Sequence, residues 1–372
     1  MVAIIHKRKI RDFDWLVAVL AIGIVGFGAW EIHNAQPTET FWQKQLIGLG
    51  IALVAMLAIA FSDYRRLVEI APVLYALGLV LLMLVLVPHI GMKINGHRAW
   101  IRLPGAGQFQ PSEFVKIPVV LMLAKYFGKH RSGPLTRKEF LIGCMILGVP
   151  MALILLEHDM GQLLTYIPLL AVVLFLSSVR LWMVAALLVA CIAGAPLAYA
   201  VSVKAGLLRG YKLERINVIL DPENADKRGF GYHTWQSMVT VGAGGLMGSR
   251  DPEYTQSSLK FLPEPHSDFI FAVTAETTGF VGCLLLLASY ALLLTRLITD
   301  ARRSRDRTGM LVIMAIVGGL IFQIFLNVGM AVGMLPVIGV PLPLMSAGLS
   351  SMLATFIAIG FAISVQLRRF VN

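Results

Sequence analysis

The chain has 372 residues, of which 57% are hydrophobic and 14% charged, with a formal net charge of +11. An ordinary soluble domain is about 45–50% apolar and about 25% charged, so this balance excludes a disordered chain, a nucleic-acid-binding tail and a plain cytosolic enzyme. What remains is a membrane protein, in which a basic excess first suggests lysine and arginine retained in cytoplasmic loops.

A helix needs roughly 20 mostly apolar residues to cross a hydrocarbon core of roughly 30 Å. Ten runs near that length are bounded by charge, proline or glycine, at 13–32, 42–61, 70–90, 112–128, 139–156, 161–178, 181–202, 269–298, 310–332 and 344–366. Glu113 and Lys116 interrupt the start of the fourth. The basic N-terminal stretch precedes a full-length apolar run without a small-residue cleavage pattern, so it reads as the approach to a first span rather than a signal peptide.

An even count puts both termini on one side of the membrane. That side collects Lys7, Arg8, Lys9 and Arg11, then Arg65 and Arg66, the Lys125–Lys138 cluster, Arg180, the Arg296–Arg307 cluster, and Arg368 with Arg369. The short loops opposite hold Lys93, Arg98 and Arg102, and the remaining long loop, about 203–268, is of the kind that largely escapes the charge rule. The predicted fold is an all-α polytopic membrane protein. It has ten transmembrane helices in a single domain over 1–372, both termini cytoplasmic, and one large extracytoplasmic loop between helices seven and eight. Cys144, Cys191 and Cys283 fall inside apolar segments without metal-type spacing and read as small core residues. No inverted repeat of the kind that marks many transporters is evident.

Polar residues crowd the outer side. They lie in Lys93–Arg102 and Phe109–Lys116, in Glu157–Gly161, and in the long loop at Arg215, Asp221–Glu223, Gly229–Ser237, Gly242–Gly248 and Phe261–Phe271. Pro111 and Ser112 suit a helix start, which sets Glu113 and Lys116 three residues apart on one face just inside the outer boundary. They form either a self-neutralising pair or one wall of a site opening outward. Asp159 is placed to cap the sixth span, a role compatible with lining a site, while Glu157 and His158 read as interfacial and solvated. Asp268 precedes an uninterrupted apolar helix, beside His266 and close to Glu264. It reads either as a cap contributing about 1 kcal/mol or as a partly desolvated general base with a raised pKa. Glu276, two turns deeper, needs a partner or a cavity. The 242–248 glycines match neither the dinucleotide fingerprint nor the P-loop and read as a tight re-entrant or surface loop. The stretch from Gly333 through Pro343 reads as a rigid turn at the outer surface.

Over essentially its whole length the sequence resembles the SEDS family (shape, elongation, division and sporulation), and its rod-shape branch more than its division branch. The resemblance is carried by Phe109-Gln-Pro-Ser-Glu113 with Lys116, Asn95-Gly96 through Trp100, Asp221-Pro222, Gly231-Tyr-His233 leading to Gln236-Ser237, and Gly242–Gly248. Above all it is carried by Phe261-Leu-Pro-Glu-Pro-His-Ser-Asp-Phe-Ile-Phe271 followed by Glu276. Departures are Glu157-His-Asp-Met-Gly-Gln162 for the usual Gln-Pro-Asp-Leu-Gly-Thr, and Pro341-Leu-Pro-Leu-Met-Ser-Ala-Gly-Leu-Ser350, which lacks a tyrosine and a glycine. Pro265 also stands where an arginine is common.

The resemblance implies a peptidoglycan glycosyltransferase of the bacterial cytoplasmic (inner) membrane that polymerises lipid II on its outer face during elongation and shape maintenance, working with a class B penicillin-binding protein. It carries over Asp268 as the essential residue and Glu113, Lys116 and Asp159 as members of the outer cavity. Asp268 would take the proton of the acceptor 4-hydroxyl, while Lys116, Arg98, Arg102 or Arg215 stabilises the departing diphosphate. His266 and Glu276 complete the expected substrate-facing set. The chemistry admits a divalent cation, Mg or Mn, between Asp268 and the diphosphate, although no ligand cluster in the sequence demands one. Membrane lipids are expected partners and nucleic acid is not. Two rivals are a lipid II flippase and a non-enzymatic scaffold for a penicillin-binding protein; polar residues gathered at the outer end rather than along a path through the bilayer disfavour the flippase.

Overall fold

The computed structural model describes residues 12–369 apart from 95–96, 104–106, 130–132, 188, 190–230, 250–254 and 260. The helices are α1 (Trp15–Ala35), α2 (Phe41–Phe61), α3 (Tyr64–Glu69), α4 (Ala71–Leu86), α5 (Pro111–Gly128), α6 (Arg137–Glu157), α7 (Met160–Leu176), α8 (Gly231–Ala243), α9 (Ile270–Arg302), α10 (Arg307–Ala331) and α11 (Leu349–Leu367). Six of them, α1, α2, α6, α9, α10 and α11, are long and apolar enough to cross a membrane, and α4 and α7 are shorter apolar helices. The protein is therefore a mostly helical, multi-pass membrane protein. A further helical stretch begins at Leu181, where the seventh run was expected; most of that run lies outside the described residues.

Helix starts follow local chemistry. Asp14, Asp159 and Asp306 each accept a hydrogen bond from the backbone N–H three residues on, and Thr136 with Glu139 forms a reciprocal capping box. Asp14 is also bonded by the Arg296 guanidinium at 2.6 Å, which joins α1 to the far end of α9. At the same end the buried Arg368 donates to the carbonyls of Ala60 and Phe61, using its guanidinium to satisfy the last turn of α2. Close helix contact is made through glycine: a Cβ on Gly360 would lie 2.7 Å from the Met56 carbonyl oxygen, which lets α11 lie against α2.

Four sequence expectations change. The connection between the third and fourth runs, 91–111, read as a loop, contains an antiparallel sheet of β1 (Gly91–Ile94), β2 (His97–Leu103) and β3 (Gly107–Phe109). Trp100 pairs with Met92 and Ile101 with Gly91 and Phe109; the alternation is too short and too rich in polar residues to stand out from the sequence. The last helix begins at Leu349 rather than 344, because Pro341–Ser346 turn back over the Asp268 segment. Glu157, expected in solvent, is fully buried: it continues the buried face of α6 that runs through Pro150 and Ile154, and the left-handed His158 (φ 65°) turns the chain only after it.

The fourth change is a break in α9. Gly279 leaves helical geometry at φ 68°, and the 242–248 turn fills the break. Phe280 N–H donates to the Gly245 carbonyl at 3.0 Å and Val281 N–H to Leu246 at 3.2 Å, while Ser249 N–H donates to Glu276 at 2.7 Å. A Cβ on Gly244, Gly248 or Gly279 would collide with backbone across this junction. The glycine run is therefore a splice that restores the hydrogen bonds an interrupted membrane helix loses.

Candidate active site

The site is assembled from three helix starts and one returning segment. Pro111 opens α5 and places Glu113 and Lys116 one turn apart, with Lys116 Nζ 3.0 Å from Glu113 Oε2. Glu113 is 3% exposed and Lys116 14%. Glu113 Oε1 accepts a bond from Gln162 Nε2 at 2.5 Å. Gln162 N–H in turn donates to Asp159 Oδ1 at 3.0 Å, and Gln110 Nε2 donates to Asp159 Oδ2 at 3.0 Å. The chain Gln110–Asp159–Gln162–Glu113–Lys116 thus laces the start of α5 to the start of α7. The Asp159 carboxyl is raised by burial and the nearby Glu113 carboxylate, opposed by its own helix N–H and by His97 and Lys116. The expected cap and the expected pair are both present, and Gln162, whose role sequence reading missed, connects them.

Asp268 lies two residues before α9. The residue at the cap position of α9 is Phe269, which makes no side-chain cap. It is partly exposed. Its surroundings come from the 336–350 segment: a Cβ on Gly339 (φ 71°) would lie 3.4 Å from Asp268 Oδ2, so a bare glycine backs the carboxylate. The same segment packs on α7, where a Cβ on Gly161 would meet the Ile338 carbonyl oxygen at 2.5 Å. Asp268 and the Asp159–Lys116 network are in this way two sides of one backbone strand. Ser346 Oγ donates to the Ser267 carbonyl at 2.6 Å, Ala347 N–H to the His266 carbonyl at 2.8 Å, and Gln110 N–H to Ser350 Oγ at 3.1 Å, which completes the frame.

The remaining predicted residues separate. His266 stacks on Phe41 with ring centroids 4.0 Å apart and has Nε2 3.6 Å from Glu264 Oε2; burial lowers its pKa against the pull of Glu264 and Glu39. Glu276 is 1% exposed and receives the N–H groups of Gln256 and Ser257 and the Ser257 hydroxyl, so the partner it required is the 255–258 segment. Arg98 stands on β2 and donates to the Leu86 carbonyl at 3.4 Å, and Arg102 is exposed at the far end of the same strand. Arg215, Asn95, Gly96, Asp221 and Pro222 lie outside the described residues. Among the described residues no group of three or more His, Cys, Asp or Glu is arranged to hold a metal ion. Below Glu113 and Lys116 a cavity runs between α5, α7, α10 and α11. Gln323 and Thr355 are its other polar lining residues, and the rest of its wall is apolar, including Val120, Leu169, Leu320 and Phe361. Glu31, overlooked in the sequence because a single carboxylate does not interrupt a span, is fully buried in α1 and accepts the Thr277 hydroxyl at 2.7 Å, beside the α9 break.

Residues 13–369 match the family of cell cycle proteins that groups FtsW, RodA and SpoVE. The chain is 34% identical over 368 residues to peptidoglycan glycosyltransferase MrdB of Escherichia coli K12, covering 98% of this chain and 97% of the relative. Among solved structures it resembles a chain of a peptidoglycan synthase complex that coordinates polymerization and crosslinking, with a TM-score of 0.81 and 32% identity over 97% of this chain and 99% of that one. It also resembles the rod shape determining protein RodA of Thermus thermophilus, with a TM-score of 0.70 and 30% identity over 97% and 98% of the two chains.

Proposed function

The chain belongs to the FtsW/RodA/SpoVE family of cell cycle proteins, and from that membership we infer that it is a peptidoglycan glycosyltransferase, the activity for which its full-length relatives are named. We read its substrate as lipid II and its setting as the outer face of the bacterial inner membrane, with ten spans, both termini cytoplasmic, and a role in elongation and cell shape. A class B penicillin-binding protein is the partner that the likeness to a synthase complex supports.

One observation carries the assignment of roles: Gly339 has Asp268 on one side and, through its neighbour Ile338, the start of α7 on the other. On this reading a base and a cation-bearing polar wall flank one place that opens outward. In the reaction the acceptor 4-hydroxyl oxygen bonds to the donor's anomeric carbon, the bond from that carbon to the diphosphate breaks, and undecaprenyl diphosphate leaves. Asp268 takes the hydroxyl proton. Lys116, oriented by Glu113, which Gln162 holds in turn, meets the charge that develops on the diphosphate; Arg98 and Arg215 are further candidates for the same charge. His266 and Glu276 act less directly, by shaping the segments on either side of Asp268. Were a Mg or Mn ion required, Asp268 would help to hold it and it would supply positive charge to the departing diphosphate; polymerisation with and without a chelator tests for it.

The apolar wall below Gln323 supports polymerisation over lipid translocation, since a headgroup path needs polar lining. The decisive experiment supplies labelled lipid II to the purified protein, alone and with its partner, and scores polymer and translocation separately. Glycan chains from the native protein and none from Asp268→Ala are expected. Translocation without polymer would replace the reading with a flippase, and neither activity would leave a scaffold.

A further inference from the structure

We propose that Asn327 is a positioning residue for the polymerisation reaction, holding the backbone of Asp268 to the 338–340 strand so that the carboxylate stays against Gly339. The proposal rests on Asp268 being the base.

Asn327 lies near the end of α10 and is fully buried. Its Nδ2 donates to the Asp268 carbonyl at 2.9 Å and to the Val340 carbonyl at 2.8 Å. A carboxamide nitrogen carries two hydrogens, and here each is spent on a different segment, one 59 residues away in sequence and the other 13. The two carbonyls bracket the contact that matters: Asp268 is the residue whose carboxylate oxygen lies 3.4 Å from the Cβ position of Gly339, and Val340 is the next residue along that strand. One amide group in a membrane helix therefore fixes the separation of the base and its backing strand.

The other half of the side chain argues against a purely stabilising role. Asn327 Oδ1 is buried and without a hydrogen-bond partner. A buried acceptor left unpaired is unfavourable. A leucine at this position would remove the orphaned oxygen and fill a similar volume. The retained asparagine is explained by its two donors, which leucine lacks.

The test is steady-state polymerisation of labelled lipid II by the full-length protein with its partner, comparing Asn327→Leu, Asn327→Ser and Asp268→Ala, each normalised to folded protein and each with a thermal unfolding curve. Loss of positioning raises the barrier without altering substrate capture, so Asn327→Leu is expected to lower kcat about 10- to 100-fold with KM unchanged. Asn327→Ser, keeping one donor, should fall between. Stability should not follow the same order: leucine fills the volume but leaves two carbonyls without their donor, while serine keeps a donor and leaves a void, so the two variants should lose comparable stability. A rate loss larger in leucine than in serine at comparable stability supports positioning. A native kcat in Asn327→Leu, or a kcat that follows thermal stability through both variants, overturns it, and the serine variant keeps the question open to decision if leucine does not fold. Polymer from Asp268→Ala would instead overturn the reading of the base, whatever the Asn327 variants do.

Discussion

Asp268 and Glu276 are carboxylates eight residues apart on either side of the start of α9, and they differ in exposure. Glu276 is sealed from solvent, and one peptide N–H, a second N–H and a hydroxyl converge on it from the 255–258 segment. Asp268 is partly exposed, backed by a bare glycine, and held in place through its own backbone carbonyl. Glu276, met by donors of the 255–258 segment, is an anchor; Asp268, which solvent reaches, is the carboxylate we propose to take a substrate proton.

The comparison can be broken most forcefully at Asp268 itself. Asp268→Ala should abolish detectable polymer, a loss at the upper end of the about 10²- to 10⁴-fold range for a general base, with thermal stability nearly unchanged. Lys116→Ala should follow, at roughly 100-fold in kcat if the ammonium meets developing diphosphate charge; a change in KM alone would reduce Lys116 to ground-state binding. On the Glu276 side the expected effects are on folding. Gly244→Ala forces a methyl into the Ala275 carbonyl and should lower the yield of folded protein or cost about 3 kcal/mol or more, since the backbone on both sides must shift. Glu276→Gln, which turns one acceptor into a donor facing donors, should cost about 1–3 kcal/mol in stability and reduce activity per folded molecule far less than Asp268→Ala.

The smallest effect concerns pH. Burial lowers the pKa of His266 below its ordinary 6.5, so the unfolded chain binds this proton more readily than the folded one between the lowered value and 6.5. Stability contributed by neutral His266 is therefore present above that window and is lost as pH falls through it. Unfolding temperatures measured from pH 7 to pH 5 should decline in the native protein and decline less in His266→Asn; equal slopes would remove His266 from the account.

Much of this organisation was legible in the sequence, for identifiable reasons. Membrane helices announce themselves by length and apolarity, and Asp159 and the Glu113–Lys116 pair announce themselves by spacing from a helix start. Gln162, Asn327 and Gly339 did not, because each acts on a segment distant in sequence and none is unusual where it stands. The α9 break was hidden because Gly279 sits in an apolar run that any hydropathy reading joins into one helix; the signal for it was the separate glycine run at 242–248, whose partner the sequence does not name. Glu157 was misplaced because a terminal glutamate is ordinarily solvated, whereas here it falls on the buried face of α6 that runs through Pro150 and Ile154.

The central claim is that Asp268, and not Glu276, removes the acceptor proton. Its most direct test is the initial rate of lipid II polymerisation for Asp268→Asn, a substitution that keeps shape and removes the base, measured beside Glu276→Gln with each normalised to folded protein. No detectable polymer is expected from Asp268→Asn, and glycan chains are expected from Glu276→Gln. Normal polymerisation by a folded Asp268→Asn variant would contradict that claim.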